Sequence, residues 1–408
     1  MISDQQIFNQ TKTAFDLPPG VIYLDGNSLG PLTHASRARL VDEMDQQWSK
    51  KLIGGWNESG WFHLPQVVGD KIGRLIGATK GTVTTADNTS INLFKVLSAA
   101  IGMNPERKVI LSDSGNFPTD LYIAQGIIGQ LNAAIVDDKL KYQLKVVTPE
   151  EVLEAIDESV AVVMVTQVDY CTGRLHDVAS IVAKARAHNV KSILDLAHSA
   201  GALPVKVEQL NVDFAVGCGY KYFNGGPGAP AFLYVREAII NDIDPLISGW
   251  MGHESPFAFA TQYTPMQGIG RMNVGTPSVL ALASLDAALE VFEGVDMQQV
   301  RERSIELSQL LIHEIAARCP DLELASPTDA NLRGSHVSYR FKEGYSVVQA
   351  LIAQGVIGDF RMPNIIRLGI TPLYLDRADI IRAAEIIEDV MKNERWNTDQ
   401  FKTRQAVT

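Results

Sequence analysis

From about Thr89 to Val235, short apolar runs rich in β-branched residues alternate with segments whose apolar positions recur every three or four residues. That alternation predicts βαβ units, hence a mostly parallel sheet with helices on its faces. The expected strands are Val109 to Leu111, Lys145 to Val147, Ala161 to Val165, Ser192 to Asp195, Phe214 to Gly217 and Ala231 to Val235. Thr119 to Leu131, Pro149 to Ser159 and Val178 to Asn189 each carry one apolar stripe and are expected helices. After Pro277 the pattern changes to a long helical stretch ending near Arg318, a strand-like GSHVSYRF, a helix near Tyr345 to Gln354 and a last helix near Arg377 to Lys392. That order predicts an α+β unit. The stretch before about Trp48 has a helical pattern but too few strands for its own core. The expected division is an N-terminal segment 1–48 packed on the rest, a large α/β domain 49–265 and a small α+β domain 266–408.

A chain of 408 residues is too long for one growing core, which agrees with two domains. Hydrophobic residues at 46% and charged residues at 20% are ordinary for a globular protein, and no low-complexity linker interrupts them. A formal net charge of -11 without a basic block argues against nucleic-acid binding. The opening MISDQQIFNQ lacks the basic and apolar regions of a secretory leader, and no apolar run is long enough to span a bilayer. Cys171, Cys218 and Cys319 lack CxxC spacing and suggest neither a disulfide framework nor a metal site. A cytoplasmic protein without membrane or metal partners is expected.

Two segments carry the most chemistry, LDLAHSAG and GYKYFNGGPG, each just after an expected strand, where ligands of such sheets gather. Pyridoxal 5'-phosphate (PLP) chemistry needs a lysine for the cofactor's aldehyde, an acid for its pyridine nitrogen and donors for its phosphate. Lys221 and Asp195 fit the first two, 221 minus 195 or 26 residues apart, room for one further strand and a turn. Taken singly, Lys221 reads as a surface lysine and Asp195 as a helix cap. Their joint placement makes them a site, and gives His198 and Tyr220 meaning.

Upstream, TTADNTSINLF sets Asn88, Thr89 and Ser90 before a helical run, the composition of an N-cap that also suits a phosphate. SDSGNFPTDLYIAQG places Phe117 and Asp120 at a strand-to-helix turn, where an aromatic can stack on a flat ring or simply staple the core. In GDFRMPNIIRLGITPLY, Arg367 sits in an apolar strand-like run. It reads either as a clamp for an amino-acid carboxylate or as half of a structural ion pair.

In order along nearly the whole chain, YLDGNSLG, GGWNESGW, NTSINLFKVLSAA, NFPTDLYIA, YCTG, LDLAHSAGA, GYKYFNGGPG, SGWMGH, GTP, GSHVSY, GVIGDFR and IIRLGITPLY resemble the kynureninase family, especially its bacterial members. The resemblance implies a fold type I PLP-dependent transferase-like fold and a homodimer with shared active sites. It implies hydrolysis of L-kynurenine, and by extension 3-hydroxykynurenine, to anthranilate and L-alanine in tryptophan degradation. The alternative is another fold type I PLP enzyme, such as a related β-keto amino acid hydrolase, an aminotransferase or a desulfurase-like lyase.

Residue by residue, the resemblance makes Lys221, Tyr220 and Asp195 catalytic. It makes Thr89, Ser90, Phe117, Pro118, Thr119, Asp120, Thr166 and His198 cofactor contacts, joined by Trp250 and Thr276 of a partner subunit. Ser28 and Arg367 would lie near the substrate carboxylate, Trp56 and His253 near its aryl group. The chain departs from the family's bacterial pattern at Gly219, Phe223, Met251, Pro277 and Met362.

Overall fold

A computed structural model describes residues 4–404; the outermost positions of the expected ranges 1–48 and 266–408 lie outside these. The strands, in chain order, are β1 (Ile22–Tyr23), β2 (Val83–Thr85), β3 (Val109–Asp113), β4 (Gln143–Val147), β5 (Val160–Thr166), β6 (Lys191–Asp195), β7 (Phe214–Gly217), β8 (Phe232–Val235), β9 (Glu323–Leu324), β10 (His336–Arg340), β11 (Val356–Ile357), β12 (Asp359–Arg361) and β13 (Ile365–Gly369).

The large sheet has seven strands in the order β2-β8-β7-β6-β5-β3-β4. From β7 to β4 all pairs are parallel, whereas β8 runs antiparallel to both β7 and β2. The centre of the sheet explains its sequence: every residue of β5, VAVVMVT, is buried, because helices cover both faces. At the edge, β4 is mostly exposed and carries Lys145, a charge that discourages further strand pairing.

Helix α1 (Thr89–Met103) is capped by Asn88, whose side chain accepts from the Ile91 amide at 3.0 Å. Helix α2 (Pro118–Asn132) begins with proline at its first position, where the missing N–H costs nothing. Helix α3 (Val178–Ala187) links β5 to β6. The expected helix at Pro149 to Ser159 does not form. Glu151 folds back onto the Thr148 amide and hydroxyl, and the stretch makes a single i to i−4 backbone bond, from the Ala155 amide to the Glu151 carbonyl, so the nucleus is not propagated. Val152 and Ile156 are nevertheless buried, so the apolar stripe marked burial rather than helix.

The long helical stretch after Pro277 is divided into α4 (Val279–Ala288) and α5 (Met297–Arg318), with a left-handed Gly294 between them and Asp296 capping the second. The second sheet, β12-β13-β10-β9, is antiparallel and is backed by α6 (Gly344–Ala353). A capping box, Asp376 with Asp379, opens α7 (Arg377–Lys392), which packs along α5. The N-terminal β1 pairs in parallel with β11, so the first and last parts of the chain meet. No described helix is long and apolar enough to cross a membrane.

Candidate active site

The C-terminal ends of β3, β5, β6 and β7 converge, and the loops that leave them hold most of the expected residues. Lys221 follows β7 and is half-buried; its Nζ lies 2.9 Å from His198 Nε2 and 5.9 Å from the centre of the Tyr220 ring. Burial lowers the lysine's pKa, so its amine is held toward the neutral, nucleophilic form. His198 is also lowered, first by burial and then by the Lys221 charge, which keeps the imidazole neutral.

Asp195 ends β6, and its Oδ1 accepts from the Ala197 amide at 2.7 Å. Thr166, paired with it in register, donates to Asn116 Oδ1, and Asn116 Nδ2 donates to Ser112 at 2.9 Å. Asp120, in the first turn of α2, is buried within range of the Asp195 and Lys221 charges. Burial raises both carboxyls, and Asp195 raises Asp120 further. Two polar atoms stay unpartnered and buried here, Asp120 Oδ2 and His198 Nδ1. Buried acids beside an unpaired donor suit a ligand that brings a cation and an acceptor, which fits the pyridine ring of PLP.

Thr89 and Ser90 stand half-buried at the N-terminus of α1, where free amides and hydroxyls suit a phosphate. Phe117 precedes Pro118 and Thr119 at the start of α2 and packs edge-on against Tyr170, ring centres 5.2 Å apart.

A second cluster forms where the N-terminal loop meets β12 and β13. Arg367 is 1% exposed; its Nε donates to Asp359 Oδ1 at 2.8 Å and its Nη2 to Asp359 Oδ2. Nη2 also donates to Ser28 Oγ at 2.7 Å, and Nη1 to the Tyr170 carbonyl at 2.6 Å. Of the two readings of Arg367, the structure shows the ion pair, and it bonds Arg367 to Ser28 as well. Replacing Arg367 with methionine would leave Asp359 charged and buried beside fewer partners. We expect about 3–5 kcal/mol of destabilisation, read as a lowered thermal midpoint; an unchanged midpoint would show that the pair adds nothing.

The loop carrying Ser28 is tied to the lysine, since the Gly30 amide donates to the Tyr220 carbonyl at 2.7 Å. A Cβ at Gly30 would lie 2.3 Å from the Lys221 carbonyl oxygen, so only glycine allows this approach.

Other expected residues are not gathered here. Trp250, 36% exposed, packs on Phe257, and Thr276 is exposed on a cleft of about 560 Å³ with Asp87, Asn88 and Met251. Trp56 stacks edge-on with Trp61, ring centres 5.9 Å apart. His253 accepts from the Ser255 amide through Nδ1 at 2.9 Å and faces the Gln262 carbonyl through Nε2 at 3.2 Å. Within one chain, no bond or ring contact among the described residues joins these four to Lys221.

Two departures from the family pattern are matters of packing. A Cβ at Gly219 would lie 2.4 Å from the Pro230 carbonyl oxygen, and Phe223 packs between Phe232 and Phe292, ring centres 5.9 Å from each. Sequence reasoning missed Asn116, Asp359, Arg361 and the fully buried His336, whose ring centre lies 5.6 Å from that of His198. His336 and Asp359 lay inside GSHVSY and GVIGDFR, which was the available signal.

The family model described as kynureninase C-terminal domain matches residues 300–387. The kynureninase of Pseudomonas fluorescens is 44% identical over 97% of this chain and 95% of its own length; that of Burkholderia pseudomallei (strain 1106a) is 43% identical with the same coverage. Among solved structures, a cysteine desulfurase from Thermococcus onnurineus NA1 superposes with a TM-score of 0.78 at 17% identity, covering 94% of this chain and 98% of its own. A mutant of C-DES with glycine covalently linked to its PLP cofactor gives 0.75 at 19% identity, covering 95% and 100%. Those likenesses show the fold type I architecture.

Proposed function

The chain belongs to the kynureninase family, and from that membership we infer a PLP-dependent hydrolase that cleaves the Cβ–Cγ bond of L-kynurenine to anthranilate and L-alanine. The observation that carries the chemistry is the Lys221 amine, shifted toward its neutral form, 2.9 Å from His198 and within the field of the buried Asp195, with the buried Asp120 feeling its charge.

Lys221 would hold the cofactor's aldehyde and Asp195 its pyridine nitrogen; Thr89, Ser90 and Tyr220 would hold its phosphate. Phe117, Pro118, Thr119, Asp120, Thr166 and His198 would line its ring. PLP, when bound, supplies an electron sink conjugated to the substrate's α-carbon. The Lys221 amine, shifted toward its neutral form by burial, would take the α-proton. Water adds to the side-chain ketone carbon, the Cβ–Cγ bond breaks, and Cβ receives a proton. Tyr220 is the donor in this reading, because burial raises its phenol and keeps it protonated at neutral pH. Ser28 and Arg367 face the carboxylate side, and Trp56 and His253 the aryl side. Trp250 and Thr276, which make no bond or ring contact with Lys221 within one chain, would complete the site of a second subunit in a cytoplasmic homodimer. The proposed boundary at 265 falls between the strands of the large sheet and those of the second sheet, and the one at 48 sets off the N-terminal segment.

The desulfurase alternative has less support, since sulfur transfer needs a reactive thiol. Cys218 and Cys319 are buried, and burial raises all three thiols. The test is to supply L-kynurenine to the PLP-loaded protein. Equimolar anthranilate and alanine are expected; an oxo acid in place of alanine, or no anthranilate, overturns the reading.

A further inference from the structure

The most deeply buried lysine among the described residues has no part in the chemistry above. Lys95, in the second turn of α1, is 3% exposed. Helical side chains lean toward the N-terminus of their helix. This one runs back along α1 until its Nζ meets Asp87 Oδ2 at 2.5 Å, and it also donates to the Met272 carbonyl at 2.8 Å. Burial lowers the lysine's pKa, and the Asp87 charge raises it.

Asp87 stands immediately before Asn88, the cap of α1, with a left-handed backbone at φ 48° and its own carbonyl held by the Ala231 amide at 3.0 Å. Its side chain is 36% exposed and lines the cleft that Asn88 and Thr276 also line. A carboxylate is thus fixed beside the turn from which Thr89 and Ser90 would hold a phosphate. Unpaired, it would repel that phosphate and oppose the positive end of the helix. Paired with Lys95, it does neither. Stability alone is a weak reason for the pair, since apolar residues of similar volume commonly fill a buried site as well or better.

We propose that Lys95 is a positioning residue for cofactor capture: by holding Asp87 in an ion pair it keeps the turn at 87–90 receptive to a phosphate dianion, without touching the ligand itself. The bond to Met272 extends the brace to the segment that leads to Thr276, so one buried ammonium ties together two stretches of chain that flank the cleft. The charge arithmetic gives each partner an opposite effect. Losing the lysine leaves an anion beside the phosphate, losing the carboxylate leaves a cation, and losing both leaves neither.

The inference rests on the reading that Thr89 and Ser90 hold the phosphate, and the test separates the two. The cofactor-free protein is titrated with PLP and, in parallel, with pyridoxal, which carries the same ring and aldehyde without the phosphate; the visible band of the attached cofactor reports each dissociation constant. Lys95→Met is expected to weaken PLP about 10-fold or more while pyridoxal stays within about twofold of native. Asp87→Asn should tighten PLP about threefold, and the double variant should return close to native affinity. A lysine that only supports the fold would give PLP and pyridoxal equal losses, or leave both unchanged, and either result overturns the proposal. If Lys95→Met does not fold by circular dichroism, Asp87→Asn decides: tightening confined to PLP upholds the proposal, and equal or weaker binding overturns it. Replacing Thr89 and Ser90 together with alanine tests the reading beneath. PLP weakened with pyridoxal spared supports that reading, whereas no selective loss of PLP sinks it and the proposal with it.

Discussion

Replacing Lys221 with alanine is expected to slow anthranilate release by about 10³-fold or more, because one amine both attaches the cofactor and moves the α-proton. The surroundings of Nζ are built for that double role: burial lowers its pKa, and a neutral His198 sits 2.9 Å away without offering a countercharge. A lysine in water would be protonated at neutral pH and unable to take a proton. The variant should also lose the visible absorption that arises from covalent attachment, while its circular dichroism stays native. Small primary amines should restore a fraction of the rate, since the cavity left by the side chain is next to the reacting atoms. A variant retaining a tenth of native turnover would remove Lys221 from both roles.

Asp195→Asn is expected to lower kcat by about 10²- to 10³-fold, the effect of losing a preorganised charge opposite a developing one. The substitution keeps the side chain's shape, and an amide oxygen can still accept from the Ala197 amide. What disappears is the negative charge that keeps the pyridine nitrogen protonated. Asp120 provides an internal comparison. Both acids are buried, but Asp120 is raised by burial and by Asp195 together, so it is the one held toward the neutral form. Asp120→Asn should therefore cost much less than Asp195→Asn, measured side by side at saturating PLP. Equal losses would mean that the two acids share the role.

The large sheet was legible in the sequence because its central strands are buried on both faces and read as unbroken β-branched runs, VAVVMVT above all. Val152 and Ile156 show the limit of that reading, since helical spacing reported a buried stripe in a chain of turns. The nearness of Lys221 and His198 was legible because both lie just past the ends of neighbouring strands of one sheet, as Asp195 lies at the end of its own. The engagement of Arg367 by Asp359 was not, although the residues lie eight apart in sequence, because the antiparallel pairing that sets Asp359 against Arg367 is a property of the tertiary fold. Ser28 is harder still: its partners are more than three hundred residues away, and no local pattern encodes such a meeting. The roles of Trp250 and Thr276 came from resemblance, and within a single chain neither contacts the lysine among the described residues.

The pairing of β1 with β11, and of Ser28 with Asp359 and Arg367, also bears on how the protein comes into being on the ribosome. The last strand of the large sheet is β8, so the cofactor half can assemble once synthesis has passed Val235. The carboxylate half must wait for Gly369, holding the N-terminal loop unpaired meanwhile. Contacts of such sequence separation form late. A nascent chain should thus gain the ability to capture PLP well before it gains the ability to recognise an amino acid, and truncations between those two points would be cofactor-binding species without substrate affinity.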